Sequence, residues 1–150
     1  GQAEEAAKFY CRVFKRSKIT SVLPGPGGKA MTVAFMLDGQ PFVALNGGPK
    51  FRFTEATSFV IDCANQREID FYWSKLTSGG GQESRCGWLK DRFGLSWQVV
   101  PKGLGKLLGS PEAMQAMLKM NNKGVTEAGT CITVCLNGCR NGIARSLTRL

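Results

Sequence analysis

Cys86 to Pro101 reads CGWLKDRFGLSWQVVP, and Met31 to Asn46, MTVAFMLDGQPFVALN, carries a weaker copy of the same pattern. Each stretch is strand, acidic turn, strand. The first turn is Asp38-Gly39, where glycine supplies the positive φ of a tight hairpin, and the second is Asp91-Arg92-Phe93-Gly94. Upstream of each lies an amphipathic helical pattern with a Phe-Tyr pair, Phe9-Tyr10 and Phe71-Tyr72. A helix followed by strands, written twice in about 100 residues, predicts two tandem units of an α+β fold.

Working outward, Ala6, Phe9, Tyr10, Val13 and Phe14 follow the spacing of one helix face. Strands are expected over 17–23, 30–37 and 41–46, with Pro24-Gly25-Pro26-Gly27-Gly28 as a loop between the first two. Gly47-Gly48-Pro49 opens a connector reaching Ala56. Thr57 to Cys63 alternates like a strand. Asn65 with Glu68 then resembles a helix N-cap with its capping-box partner. The second helix is expected to bury Ile69, Tyr72, Trp73 and Leu76 and to stop at Gly79-Gly80-Gly81. A short strand over 82–85 and the hairpin 87–91/95–100 complete the second half. The halves thus fall at about 1–50 and 56–101. Ser110-Pro111 signals one more helix, over 111–120, whose Met114, Met117 and Leu118 read as packing residues. Residues 123–150 lack periodicity and read as a poorly ordered tail, so the domain is taken as 1–122.

The chain has 150 residues and a net charge of +9, with no histidine. Its basic residues are dispersed, with Lys15-Arg16-Ser17-Lys18 the one tight cluster, and no nucleic-acid-binding signature accompanies them. No nucleic-acid partner is therefore expected. No apolar run approaches the roughly 20 residues that span a bilayer, and the N-terminal residues lack a signal layout. That predicts no membrane partner and a cytoplasmic location. Cys11, Cys63 and Cys86 sit among apolar neighbours, as buried thiols do. Cys131, Cys135 and Cys139 match no standard zinc spacing. No phosphate-binding or dinucleotide loop is recognisable, and no cofactor is expected.

AEEAAKFYCRVF, FMLDGQPFVALNGGP, SFVIDCANQREIDFYWSKL and CGWLKDRFGLSWQVVP resemble the PhnB-like family, often labelled 3-demethylubiquinone-9 3-methyltransferase. The resemblance covers about residues 2–120. It implies membership of the vicinal oxygen chelate superfamily with glyoxalase I, bleomycin-resistance proteins and dioxygenases. The implied architecture is paired βαβββ modules curling into a cup, completed in a homodimer. Family members open with a strand before the first helix; this chain begins at that helix, so the first half is expected to lack its opening strand. That leaves a sheet edge unpaired and Phe9 and Val13 uncovered, which favours association.

Superfamily enzymes hold a divalent metal with His and Glu. Without histidine an imidazole site is excluded here, and no transition metal is expected within 1–122. The resemblance places Gln98 where a late-strand Glu often stands and Ser58 at a fifth-strand ligand position. Ser96 and Gln98 share a strand face, and Asn46 is the candidate counterpart of Gln98 in the first half. Trp88 and Trp97 read first as core, with Trp88 kept as a ligand contact. The ligand-binding candidates are thus Asn46, Ser58, Trp88, Ser96 and Gln98. Binding of a small molecule in a cup at a dimer interface is the first reading. A metal-assisted glyoxalase- or dioxygenase-like enzyme and a truncated inactive paralogue are the alternatives. Methyl transfer from S-adenosylmethionine lacks the α/β cofactor domain it requires.

Overall fold

The structure, a computed structural model, describes residues 1–104 and residue 111. The expected helix over 111–120 and the tail from 123 lie outside the described residues. The chain divides into two compact units, Gly1–Phe53 and the remainder from Thr54. Both are mixed α and β.

The first unit runs α1 (Ala3–Val13), β1 (Lys18–Pro24), β2 (Ala30–Leu37) and β3 (Gln40–Leu45), with a short 3-10 turn at Pro26–Gly28. Its sheet order is β1-β2-β3, antiparallel throughout. The helix forms because Ala3, Ala6, Ala7, Tyr10 and Val13 return to one face, which is buried. Val33, Phe35 and Leu37 alternate onto the helix side of β2, and Tyr10 stacks on Phe35 with ring centroids 6.4 Å apart. Val13 is 5% exposed. The expectation that the helix face would stand uncovered is therefore corrected for Val13. The exposed apolar surface is on the sheet: Leu23, Val43 and Leu45 are 56%, 69% and 64% exposed. All three lie on the face of the sheet away from α1, set by the pairs Leu23↔Thr32, Val43↔Ala34 and Leu45↔Thr32.

The second unit runs β4 (Ser58–Cys63), α2 (Gln66–Thr77), β5 (Gln82–Glu83), β6 (Trp88–Lys90) and β7 (Ser96–Pro101). This is a βαβββ module, and the first unit has the same order from its helix onward. The sheet order is β4-β7-β6-β5, with β4 parallel to β7 and the other pairs antiparallel. Asn65 caps α2, its side chain accepting from the Glu68 amide at 3.1 Å. Glu68 reaches back to the Ala64 amide at 2.9 Å, one residue earlier than the standard capping box. Ile69, Trp73 and Leu76 face the sheet; Tyr72, expected among them, is half-buried. Each fully buried side chain of this kind contributes about 2 kcal/mol. Gly81 lets the end of α2 close on the sheet, since a Cβ there would stand 2.7 Å from Thr77 Cα and 2.9 Å from Lys90 O.

The hairpin β6–β7 is fastened by Asp91. Its carboxylate accepts from the Phe93 amide at 2.8 Å, the Leu95 amide at 3.1 Å and the Trp97 indole nitrogen at 2.8 Å. The Asp91 amide in turn donates to Leu95 O at 2.9 Å. Asp91 is 3% exposed, so loss of this carboxylate leaves two buried donors, on Leu95 and Trp97, and the half-buried Phe93 amide without it. Asp91→Ala is expected to lower the unfolding free energy by about 3 kcal/mol, and Asp91→Asn by less. Urea denaturation followed by tryptophan fluorescence checks this; a change within about 0.5 kcal/mol contradicts the assigned role.

Candidate functional site

The register of the second sheet lays out its face away from α2 residue by residue. Ile61 and Cys63 of β4, Leu89 of β6, and Trp97 and Val99 of β7 are buried on the α2 side. The opposite parity puts Ser58, Val60 and Asp62, then Ser96, Gln98 and Val100, then Trp88 and Lys90 on the other face. Two cross-strand rows result. Gln82, Lys90, Ser96 and Ser58 form the first, and Trp88, Gln98 and Val60 the second.

Four of the five candidates therefore share one face: Ser58, Trp88, Ser96 and Gln98. Gln98 donates from Nε2 to Ser58 Oγ at 2.9 Å across the parallel pair. That bond leaves the Gln98 carbonyl oxygen and the Ser58 proton for other partners. Ser96 is 1% exposed, and its hydroxyl has no hydrogen-bond partner among the described residues. Trp88 is half-buried, and Trp97, its companion in the sequence, is core at 3% exposure.

Asn46 belongs to the first unit. Its Oδ1 accepts from the Ala3 amide at 3.0 Å and its Nδ2 donates to Ala30 O at 2.7 Å. It thus caps the first turn of α1 from 43 residues away and ties it to β2. Counted outward from the turns, its pairing with Gln98 also fails. Leu37 faces Gln40 across two turn residues, whereas Asp91 meets Leu95 across three. The counterpart of Gln98 is Val43, and that of Asn46 is Pro101.

Lys90 was not among the candidates. Its ammonium reaches the Glu55 carboxylate just before β4, and that contact holds the Glu55 carboxyl below its usual value. Burial pushes the Cys63 thiol up to about 12, helped by the nearby Glu68 and Asp62 charges, and raises Cys11 more gently. Both thiols stay protonated at neutral pH, so neither is poised as a nucleophile.

An imidazole-free metal site could still use oxygen ligands. This face offers two neutral hydroxyls, the Gln82 and Gln98 amides and the single carboxylate of Asp62, a sparse donor set for a divalent ion. Among the described residues no three His, Cys, Asp or Glu side chains come together as ligands.

The family described as 3-demethylubiquinone-9 3-methyltransferase matches residues 1–100. The chain belongs to this PhnB-like family. It is 31% identical to the putative 3-demethylubiquinone-9 3-methyltransferase, PhnB protein, from Bacillus cereus, with a TM-score of 0.61. That match covers 67% of this chain and 92% of the Bacillus one. Protein PA1353 from Pseudomonas aeruginosa, at 19% identity, shares the fold with a TM-score of 0.57 over 68% of this chain and 90% of its own. No curated protein matches the chain. Among the described residues of this PhnB-like chain no helix is long and apolar enough to cross a membrane.

A buried hydroxyl without a partner costs stability that the fold does not recover in the free state. Ser96→Ala is accordingly expected to raise the unfolding free energy of ligand-free protein by about 1 kcal/mol. Chemical denaturation measures it, and a loss of stability on removing the hydroxyl contradicts the assignment of Ser96 as unsatisfied.

Proposed function

We propose that this PhnB-like protein binds a small molecule on the face of the β4-β7-β6 sheet away from α2, in the manner of a vicinal oxygen chelate domain without an imidazole metal site. The observation that carries the reading is the buried, unpartnered Ser96 hydroxyl beside Ser58 and Gln98. Protein interiors pair their polar groups, and an orphan that faces other polar side chains is suited to a bound ligand. Gln98 Oε1 accepts from a ligand hydroxyl or amine, the serines donate to its oxygens, and Trp88 supplies a flat apolar wall. Gln98 and the serines are poor general bases, so they orient a ligand and abstract no proton. Methyl transfer, which the relative's name carries, is not part of this proposal.

A homodimer is part of the same proposal. Val43 and Leu45 point their backbone groups off the outer edge of β3, because the turn pairs Leu37 with Gln40 and alternation follows from there. Their side chains are the most exposed large apolar ones of that sheet, and such an edge with an apolar face favours a second copy. Cys11 and Cys63 are free thiols, which suits a reducing cytoplasmic setting.

A thermal-shift screen of small oxygen-rich compounds tests the binding reading. A ligand at about 100 times its Kd adds about 2.7 kcal/mol to stability, which the screen reads as a higher Tm. Hits are expected to disappear in Gln98→Leu and Ser58→Ala. Hits that survive both changes contradict the site. Sedimentation at tens of micromolar is expected to show a dimer that Val43→Lys weakens.

A further inference from the structure

We propose that the ligand of this face is an organic carboxylate with a flat apolar body, its oxyanion held in the row Lys90–Ser96–Ser58 and its body lying against Trp88. This inference rests on the binding reading above and adds the chemical class.

The two rows differ in kind. Every side chain of the first can donate a hydrogen bond: the exposed Gln82 amide at its outer end, an ammonium, the unpartnered Ser96 hydroxyl, and the Ser58 hydroxyl whose oxygen already accepts from Gln98. Lys90 and Ser96 face each other in the pair whose backbone groups point away from one another. Side chains approach most closely there, with Cβ atoms about 5 Å apart. The second row, Trp88–Gln98–Val60, offers an indole, an amide and a branched aliphatic group. Rows are about 7 Å apart along a strand, the span of one or two fused rings.

Lys90 is the cation of this face, and in the free protein a carboxylate already sits on it. Glu55 holds the ammonium from an exposed position, its side chain 68% exposed against 32% for Lys90. A solvent-exposed ion pair is weak enough to be exchanged. A ligand carboxylate takes the place of Glu55 on Lys90 and also satisfies Ser96, which Glu55 leaves unpartnered. Charge-assisted donors of this kind favour an anion over its neutral isostere. At the far end of the face Asp62, opposite Val100 and two rows from Ser58, is exposed and repels a second negative group. The site is thus built for a monoanion.

Nitrogen-15 NMR titrations with naphthalene-2-carboxylate and naphthalene-2-carboxamide test this. The carboxylate is expected to bind about tenfold tighter, shifting the amides of Lys90, Ser96 and Gln98. Lys90→Met should abolish that preference while leaving carboxamide binding in place. Glu55→Gln, which removes the competing carboxylate, should tighten the carboxylate several-fold and leave the carboxamide unchanged. If both compounds shift these amides equally, the anion inference falls and the binding face stands. If neither shifts them, or the shifts map to basic residues elsewhere, both readings fall.

Discussion

The parallel pairing of β4 with β7 is the constraint on which the second unit depends. It opposes Ser58 to Ser96 and Val60 to Gln98, and so assembles a polar face from two segments about 40 residues apart. Parallel strands require a crossover, and α2 is that crossover, which fixes Ile69, Trp73 and Leu76 over the other face. A slip of one residue would exchange the faces, bringing Phe59 and Trp97 where Ser58 and Ser96 now stand. The buried Ile61, Cys63, Trp97 and Val99 resist that slip. Asp91 sets the second boundary by holding the three-residue turn, so β6 meets β7 with Lys90 opposite Ser96.

The two units show the same ladder put to different uses. Beyond the turn, Pro41, Val43 and Leu45 correspond to Ser96, Gln98 and Val100, and in both ladders these residues point their backbone groups outward. In the second unit that edge is taken by β4. In the first it has no strand partner among the described residues, Pro41 offers no donor, and the side chains at the equivalent positions are aliphatic. One half of the repeat presents polar groups suited to a ligand, the other an apolar surface suited to association.

Much of this was legible in the sequence. Alternation and turn chemistry located nearly every strand to within a residue or two, because Asp-Gly and the Gly-bearing Asp91 turn leave few registers open. The strand predicted over 82–85 shortens to Gln82–Glu83, where pairing with β6 ends. Alternation also grouped Ser96 with Gln98. What periodicity does not encode is which partner a polar side chain finds. Asn46 caps a helix through a bond across 43 residues that no local pattern announces. It was matched to Gln98 because the two turns differ by one residue. Lys90 escaped notice for a similar reason: its place beside Ser96 follows from the turn register, and its carboxylate partner Glu55 lies in the connector. The signal available was its parity with Trp88 on a strand whose Leu89 is core.

Amide hydrogen exchange tests the pairing most directly. Trp97 and Val99 bond toward β6, as the Val99 amide does to Gly87 O at 2.8 Å, while Gln98 and Val100 bond toward β4. The account predicts slow exchange at all four positions, with Gln98 and Val100 as protected as Trp97 and Val99. Fast exchange at Gln98 and Val100 alone, beside protected neighbours, would show that β7 has a free edge and that Ser58 does not stand beside Ser96.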